Sequence, residues 1–259
     1  MGRRLHRPLG GDDDMNATPL PVCLLTGASG RLGTRFCELY GHRYRIVAVH
    51  CSRPVHQPAE VSWHIDPFNP GVRQRIEGRN VATLQADLSD PAQIPRVIDF
   101  ALERFGRVDL LVNAAAICRN VSLTGGDPVA DHVTAMLDMN AVVPLRLAVE
   151  LSQRFWRGRS GENAAFNRSI VNVSSTSGAF IYSNIGQSGY AASKAALHML
   201  TCHLADEFAA FGLRANTVAP DSFPERVTTA SVCDAIARVA AGDMNGKMLL
   251  LEPSGTSVV

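Results

Sequence analysis

Short, almost wholly apolar runs recur along the chain at Val22–Thr26, Arg45–His50, residues 82–86, Leu110–Asn113, and residues 170–174, 214–218 and 248–251. Runs such as Leu110-Leu111-Val112 lack polar alternation. Both faces of such strands are expected to be covered, as in a parallel sheet between two helical layers. Between the runs, apolar residues at helical spacing predict helices over Gln93–Phe105 and residues 132–153, 190–211 and 232–241. The alternation predicts an α/β fold: a single-domain, Rossmann-type, doubly wound parallel sheet of about seven strands flanked by helices.

No internal repeat and no composition break marks a second domain. Residues 1–20 are expected to form a flexible N-terminal tail, basic from Met1 to Arg7 and then Gly10-Gly11-Asp12-Asp13-Asp14. Residues 21–259 are expected to form the folded domain. No apolar stretch follows the basic start, so a secretory leader is not expected; Met15 offers an alternative start. Residues 53–79, rich in Pro, His and Arg, are expected to make an extended surface connection between the second and third strands.

Composition narrows the class. The 259 residues suffice for a sizeable core, and 46% hydrophobic with 19% charged content is that of an ordinary globular protein. No apolar run is long enough for a membrane-spanning helix. A net charge of +1 provides no field selecting nucleic acid, and the basic residues between Arg73 and Arg79 read as a solvated face. Six scattered cysteines without a C-x-x-C pair point to reduced thiols, a cytoplasmic setting and no metal. His50, His56 and His64 lack ligand spacing and read as surface or structural, and Trp63 reads as packing.

Two features carry chemistry. The first strand runs into Gly27-Ala28-Ser29-Gly30-Arg31-Leu32-Gly33. A glycine-rich turn between a strand and a helix lets backbone N–H groups approach a pyrophosphate at the helix N-terminus. An NAD site commonly places an acid after the second strand, but no Asp or Glu lies between Leu39 and Ala59. Ser52 and Arg53 follow that strand instead, and Arg31 lies in the turn. A guanidinium suits a 2′-phosphate, so NADP (NADPH) is the expected cofactor. The second feature is Tyr190 with Lys194, four residues apart and therefore on one face of a helix. A phenol titrates near 10, and a neighbouring cation is expected to draw it toward the working range.

With these motifs in order, the chain from Pro21 to Gly255 resembles the compact branch of the short-chain dehydrogenase/reductase family. Thr26–Gly33 resembles its cofactor turn, in the variant of its pteridine-reductase-like members. Asp87-Leu88 resembles its adenine-contacting pair, and Asn113-Ala114-Ala115-Ala116 its Asn-Asn-Ala-Gly segment. Asn140, Ser175, Tyr190 and Lys194 match its catalytic tetrad. The resemblance implies that Leu32, Asn113, Ala114, Ala115 and Pro220, with Tyr190 and Lys194, lie against the cofactor. It implies that Ser175 bonds the substrate oxygen, Tyr190 transfers its proton, Lys194 bonds the nicotinamide ribose, and Asn140 opens its helix to a relay water. Ser175 is preferred to Ser177 because alignment through the strand and Gly178 places the extra residues in the loop 179–188. Ser174 and Ser177 read as structural hydroxyls.

Three departures stand out. Arg31 replaces the family's second glycine, and in the second motif Ala114 replaces the second Asn and Ala116 the Gly. After Pro220 the usual long helical lid is largely missing, so the site is expected to be uncovered or closed by a large substrate or a partner. The resulting expectation is reduction of a carbonyl or imine on a small-molecule or carrier-bound substrate. A homo-oligomer, dimer or tetramer, is implied by the resemblance. Alternatives are a dinucleotide-binding regulator or scaffold without turnover, and an epimerase or dehydratase with tightly held cofactor.

Overall fold

A computed structural model describes residues 20–55, 61–65, 73–77, 80–124 and 128–259. Residues 1–19, nearly all of the expected tail, lie outside the described residues. The main sheet has eight strands in the order β10-β9-β8-β7-β6-β1-β2-β5. Its strands are β1 (Val22–Thr26), β2 (Arg45–His50), β5 (Val81–Gln85), β6 (Leu110–Asn113), β7 (Ser169–Val173), β8 (Arg214–Pro220), β9 (Met248–Glu252) and β10 (Gly255–Val258). All neighbours pair parallel except β10, which runs antiparallel to β9. Strand order reverses between β1 and β6, the place where open α/β sheets leave a crevice beyond the strands' C-terminal ends.

Seven α-helices accompany these strands among the described residues: α1 (Arg31–Tyr40), α2 (Gln93–Phe105), α3 (Val129–Leu137), α4 (Val143–Leu151), α5 (Ser160–Ala165), α6 (Ser188–Ala209) and α7 (Thr229–Ala241). Alternate strand residues enter different layers. Cys23, Leu25, Ile46, Ala48 and Val112 pack with Phe36 of α1 and Ile236 of α7. Leu24, Val47, Val49 and Leu111 pack with Val97 of α2, Leu147 of α4 and Leu204 of α6. Both faces are thus covered, which accounts for the unbroken apolar runs.

Two expectations need correction. The helix expected over residues 132–153 is α3, a π turn at Asp138–Val142, α4, and a second π turn at Ser152–Trp156. The physical reason at the first turn is Asn140. Its side chain bonds the backbone of Ile117, outside the helix, and the wider ring accommodates this. The connection expected over residues 53–79 is not simply extended. Val61–Ile65 (β3) and Arg73–Glu77 (β4) pair antiparallel in a separate two-stranded sheet. Alternating Val61, Trp63 and Ile65 suit a pleated strand.

Candidate active site

The glycine turn lies at the switch point. Gly27 has φ 68°, and a Cβ there would sit 2.7 Å from the Ala115 nitrogen. Gly33 is equally constrained: a Cβ would meet Ala28 Cα and Gly27 O at 2.5 Å, so its absence brings α1 against the turn. Thr26 fixes the opposite wall, its hydroxyl accepting from the N–H groups of Ala114 and Ala115 at 3.1 and 3.2 Å. The N-cap of α1 is Gly30 without a side-chain cap, which leaves the first helical N–H groups open toward the crevice. Gly27→Val is expected to cost about 1–3 kcal/mol of stability from backbone strain alone and to abolish dinucleotide binding. Chemical denaturation and a fluorescence titration check the two parts.

A cavity of about 460 Å³ opens there. It brings together Gly27, Ser29, Gly30, Ser52, Arg53, Asp87, Leu88, Ala114 and Ala115 from four separated segments. Asp87 accepts from the backbone N–H and hydroxyl of Ser89 at 3.0 and 2.7 Å, and these bonds lower its pKa below the usual carboxylate value. The sequence did not single out His50, Ile117 and Met139 as lining this crevice. The Nδ1 atom of His50 is buried without a partner among the described residues, and such an atom calls for one. An uncapped helix end, a cradle that a Cβ would fill, an orphaned imidazole nitrogen and an exposed arginine at the rim fit a dinucleotide phosphate.

Other expected cofactor residues are placed differently. Leu32 is buried in the core at 7% exposure. Asn113 donates to Asn172 Oδ1 at 2.8 Å, and Asn172 donates to Thr201, so these side chains tie β6 and β7 to α6. Arg31 turns away from the crevice end where Ser52 and Arg53 lie. Its guanidinium donates to the Phe223 carbonyl at 2.7 Å and approaches Glu225 at 3.9 Å. The expectation that Arg31 faces a 2′-phosphate is therefore corrected: it fastens the segment after β8.

Ser175, Tyr190 and Pro220 line a second cavity of about 380 Å³ with Cys118, Tyr182, Gln187, Asp221 and Arg226. Tyr190 and Lys194 share one face of α6, with the ammonium 5.7 Å from the phenol ring centroid. Lys194 is 2% exposed and donates to the Val173 carbonyl at 2.8 Å. Burial lowers its pKa to about 8, opposed by Cys118. Burial raises Tyr190 to about 12, with Cys118 adding to the rise and the Ser175 hydroxyl drawing it back. The expected downward pull of Lys194 on the phenol does not prevail in the protein alone. Desolvation dominates at the phenol, and the ammonium donates to Val173 instead.

Asn140, fully buried, exchanges bonds with the Ile117 N–H and carbonyl at 2.8 Å and donates to Ser193 Oγ at 2.9 Å. Ser175 accepts from Ser177 N–H at 3.1 Å. Ser174 donates to the Lys194 carbonyl at 2.9 Å and Ser177 to Gln187 Oε1 at 3.1 Å. The last two hydroxyls are thus occupied in holding α6 and its approach loop.

The segment after β8 is short yet fastened. Asp221 N–H donates to the Leu251 carbonyl at 2.8 Å, Arg226 and Val227 N–H groups turn back to Ser222, and Phe223 packs on the core. Residues 221–223, 225 and 226 of this segment line the cavity of Ser175 and Tyr190. Contacts between residues so far apart in sequence left no local signal. Among the described residues no group of His, Cys, Asp or Glu is arranged to hold a metal, and no helix is long and apolar enough to cross a membrane.

A family model described as short chain dehydrogenase matches residues 21–231. Acetoacetyl-CoA reductase of Allochromatium vinosum is 28% identical over 209 residues, covering 81% of this chain and 77% of that protein. Protein FixR of Bradyrhizobium diazoefficiens is 32% identical over 231 residues, covering 85% and 72%. The crystal structure of a short chain dehydrogenase from Mycobacterium avium superposes with a TM-score of 0.73 at 21% identity, covering 93% of this chain and 84% of that one.

Proposed function

The chain belongs to the short chain dehydrogenase family, and on that premise we propose that it is an NADPH-dependent reductase of a carbonyl or imine group. An oxidoreductase using a nicotinamide dinucleotide is the activity that family membership supports. The observation that carries the finer reading is Tyr190 and Ser175 together on one cavity wall, with Lys194 buried behind the phenol.

Gly27, Ser29 and Gly30, with the open N–H groups of α1, would hold the pyrophosphate. Asp87 and Leu88 would hold the adenine end, while Ser52 and Arg53 would meet a 2′-phosphate. When bound, the nicotinamide supplies the hydride. Ser175 orients the substrate oxygen by donating to it. Tyr190 donates the proton that the developing alkoxide or amide requires. Lys194 keeps a positive charge beside that oxygen and would bond the ribose hydroxyls. Asn140 holds the π turn open, so that a backbone carbonyl is left for a water feeding the proton back. Residues 21–259 act as one domain in this reading, in a cytoplasmic homo-oligomer.

The raised phenol pKa is suited to reduction, because Tyr190 at about 12 remains protonated at neutral pH. Lys194 is charged below about 8 and neutral above it. The rate of reduction is expected to be level on the acid side of pH 8 and to fall as pH rises through it. Oxidation of the product alcohol, which starts from the phenolate, is expected to rise with pH instead. A kcat/KM profile in each direction checks this. A reduction rate that climbs through pH 8 would contradict the roles assigned to Tyr190 and Lys194.

A further inference from the structure

The cavity that Ser175 and Tyr190 line contains charge as well as apolar surface. Tyr182, Ile185 and Phe223 supply the apolar part. Asp221, only 7% exposed, accepts from Ser222 N–H at 2.7 Å and from Arg226 Nε at 2.5 Å. The Arg226 side chain is 60% exposed, and its two terminal nitrogens have no partner among the described residues. A guanidinium gripped at Nε by a buried carboxylate is fixed in orientation and presents the edge that pairs with a carboxylate.

Pinning the segment does not require this pair. The Asp221 N–H bond to Leu251, the turn on Ser222, Phe223 packing and the Arg31 bond to Phe223 already do so. Asp221, Glu225 and Arg226 are the charged residues that line the cavity. Glu225 is offset from outside the lining by Arg31 at 3.9 Å, so that the Asp221–Arg226 pair remains at the wall with the terminal edge of the guanidinium outward.

We propose that Arg226 is a substrate-binding residue, and that the substrates are oxo acids bearing a free carboxylate besides the group reduced. This rests on the reductase reading above and names the substrate class for the same site. The carboxylate accepts two N–H groups from Arg226 while the carbonyl oxygen meets Ser175 and Tyr190. The apolar residues cover the carbon chain between them.

The test uses the purified full chain with NADPH and straight-chain oxo acids in which the spacing from oxo group to carboxylate is varied, each beside its methyl ester. One spacing is expected to be favoured, with the acid exceeding its ester in kcat/KM. In Arg226→Gln the acid-to-ester ratio is expected to fall by about 10- to 100-fold, the worth of a hydrogen-bonded charge. The loss should lie mainly in KM, and Arg226→Lys should recover part of it. Raising ionic strength should raise KM for the acid more than for the ester. An NADPH titration of each variant verifies that the dinucleotide site is intact. Equal use of acid and ester, a preference for the thioester, or an unchanged ratio in Arg226→Gln overturns the oxo-acid assignment and leaves the reductase reading standing. Bound NADPH with no reduction of any carbonyl compound overturns both.

Discussion

Replacing Tyr190 with phenylalanine is expected to lower kcat for carbonyl reduction by about 10²- to 10⁴-fold, the range a positioned proton donor supplies. The substitution removes one oxygen and keeps the ring, so the packing of α6 is preserved. Among the described residues the phenol oxygen holds no backbone group that its loss would orphan, whereas Lys194 holds the Val173 carbonyl. NADPH affinity should therefore change little, and a fluorescence titration beside steady-state kinetics separates the two effects. A Tyr190→Phe protein with full activity would remove the phenol from the mechanism and leave Ser175 or a water as proton source.

The second large effect concerns the choice of dinucleotide. Arg53 is exposed at the crevice rim beside Ser52 and His50. Arg53→Glu removes a charge-assisted bond to a 2′-phosphate and introduces a carboxylate able to meet ribose hydroxyls. The kcat/KM ratio of NADPH to NADH is expected to drop by about 10- to 100-fold from the lost bond alone. Repulsion between the new carboxylate and the phosphate adds to this. Kinetics with both cofactors read the ratio directly. A wild-type protein that prefers NADH, or an unchanged ratio in the variant, would overturn the NADP assignment.

Much of this organisation is legible in the sequence because burial on two faces leaves an unmistakable pattern. Val22–Thr26, Leu110–Asn113 and Gln93–Phe105 fold as the apolar spacing predicts. The edge strand Gly255–Val258 escaped because all four of its residues are exposed and its sequence, Gly-Thr-Ser-Val, carries no apolar run. That Asn140 opens its helix follows from the resemblance, while the cause, a bond to Ile117 23 residues away, leaves no local pattern. At the site, Tyr190, Lys194 and the glycine turn were local motifs. Arg31 was misread because its partner Phe223 lies 192 residues further on. Cys118 and Arg226 carried no motif at all; only the approach of loops at the ends of β6 and β8 brings them to the substrate cavity. A pKa is equally non-local: spacing alone favoured a lowered phenol, whereas burial raises it.

The most direct test of the account is transfer of deuterium from NADPH labelled at C4. The protein is incubated with each C4-labelled diastereomer and a carbonyl substrate that it turns over, and the product is analysed by mass spectrometry. One diastereomer alone is predicted to place deuterium on the former carbonyl carbon, with wild-type protein and not with Tyr190→Phe. Bound NADPH that delivers no deuterium to any carbonyl compound would contradict the assignment of this chain as a reductase.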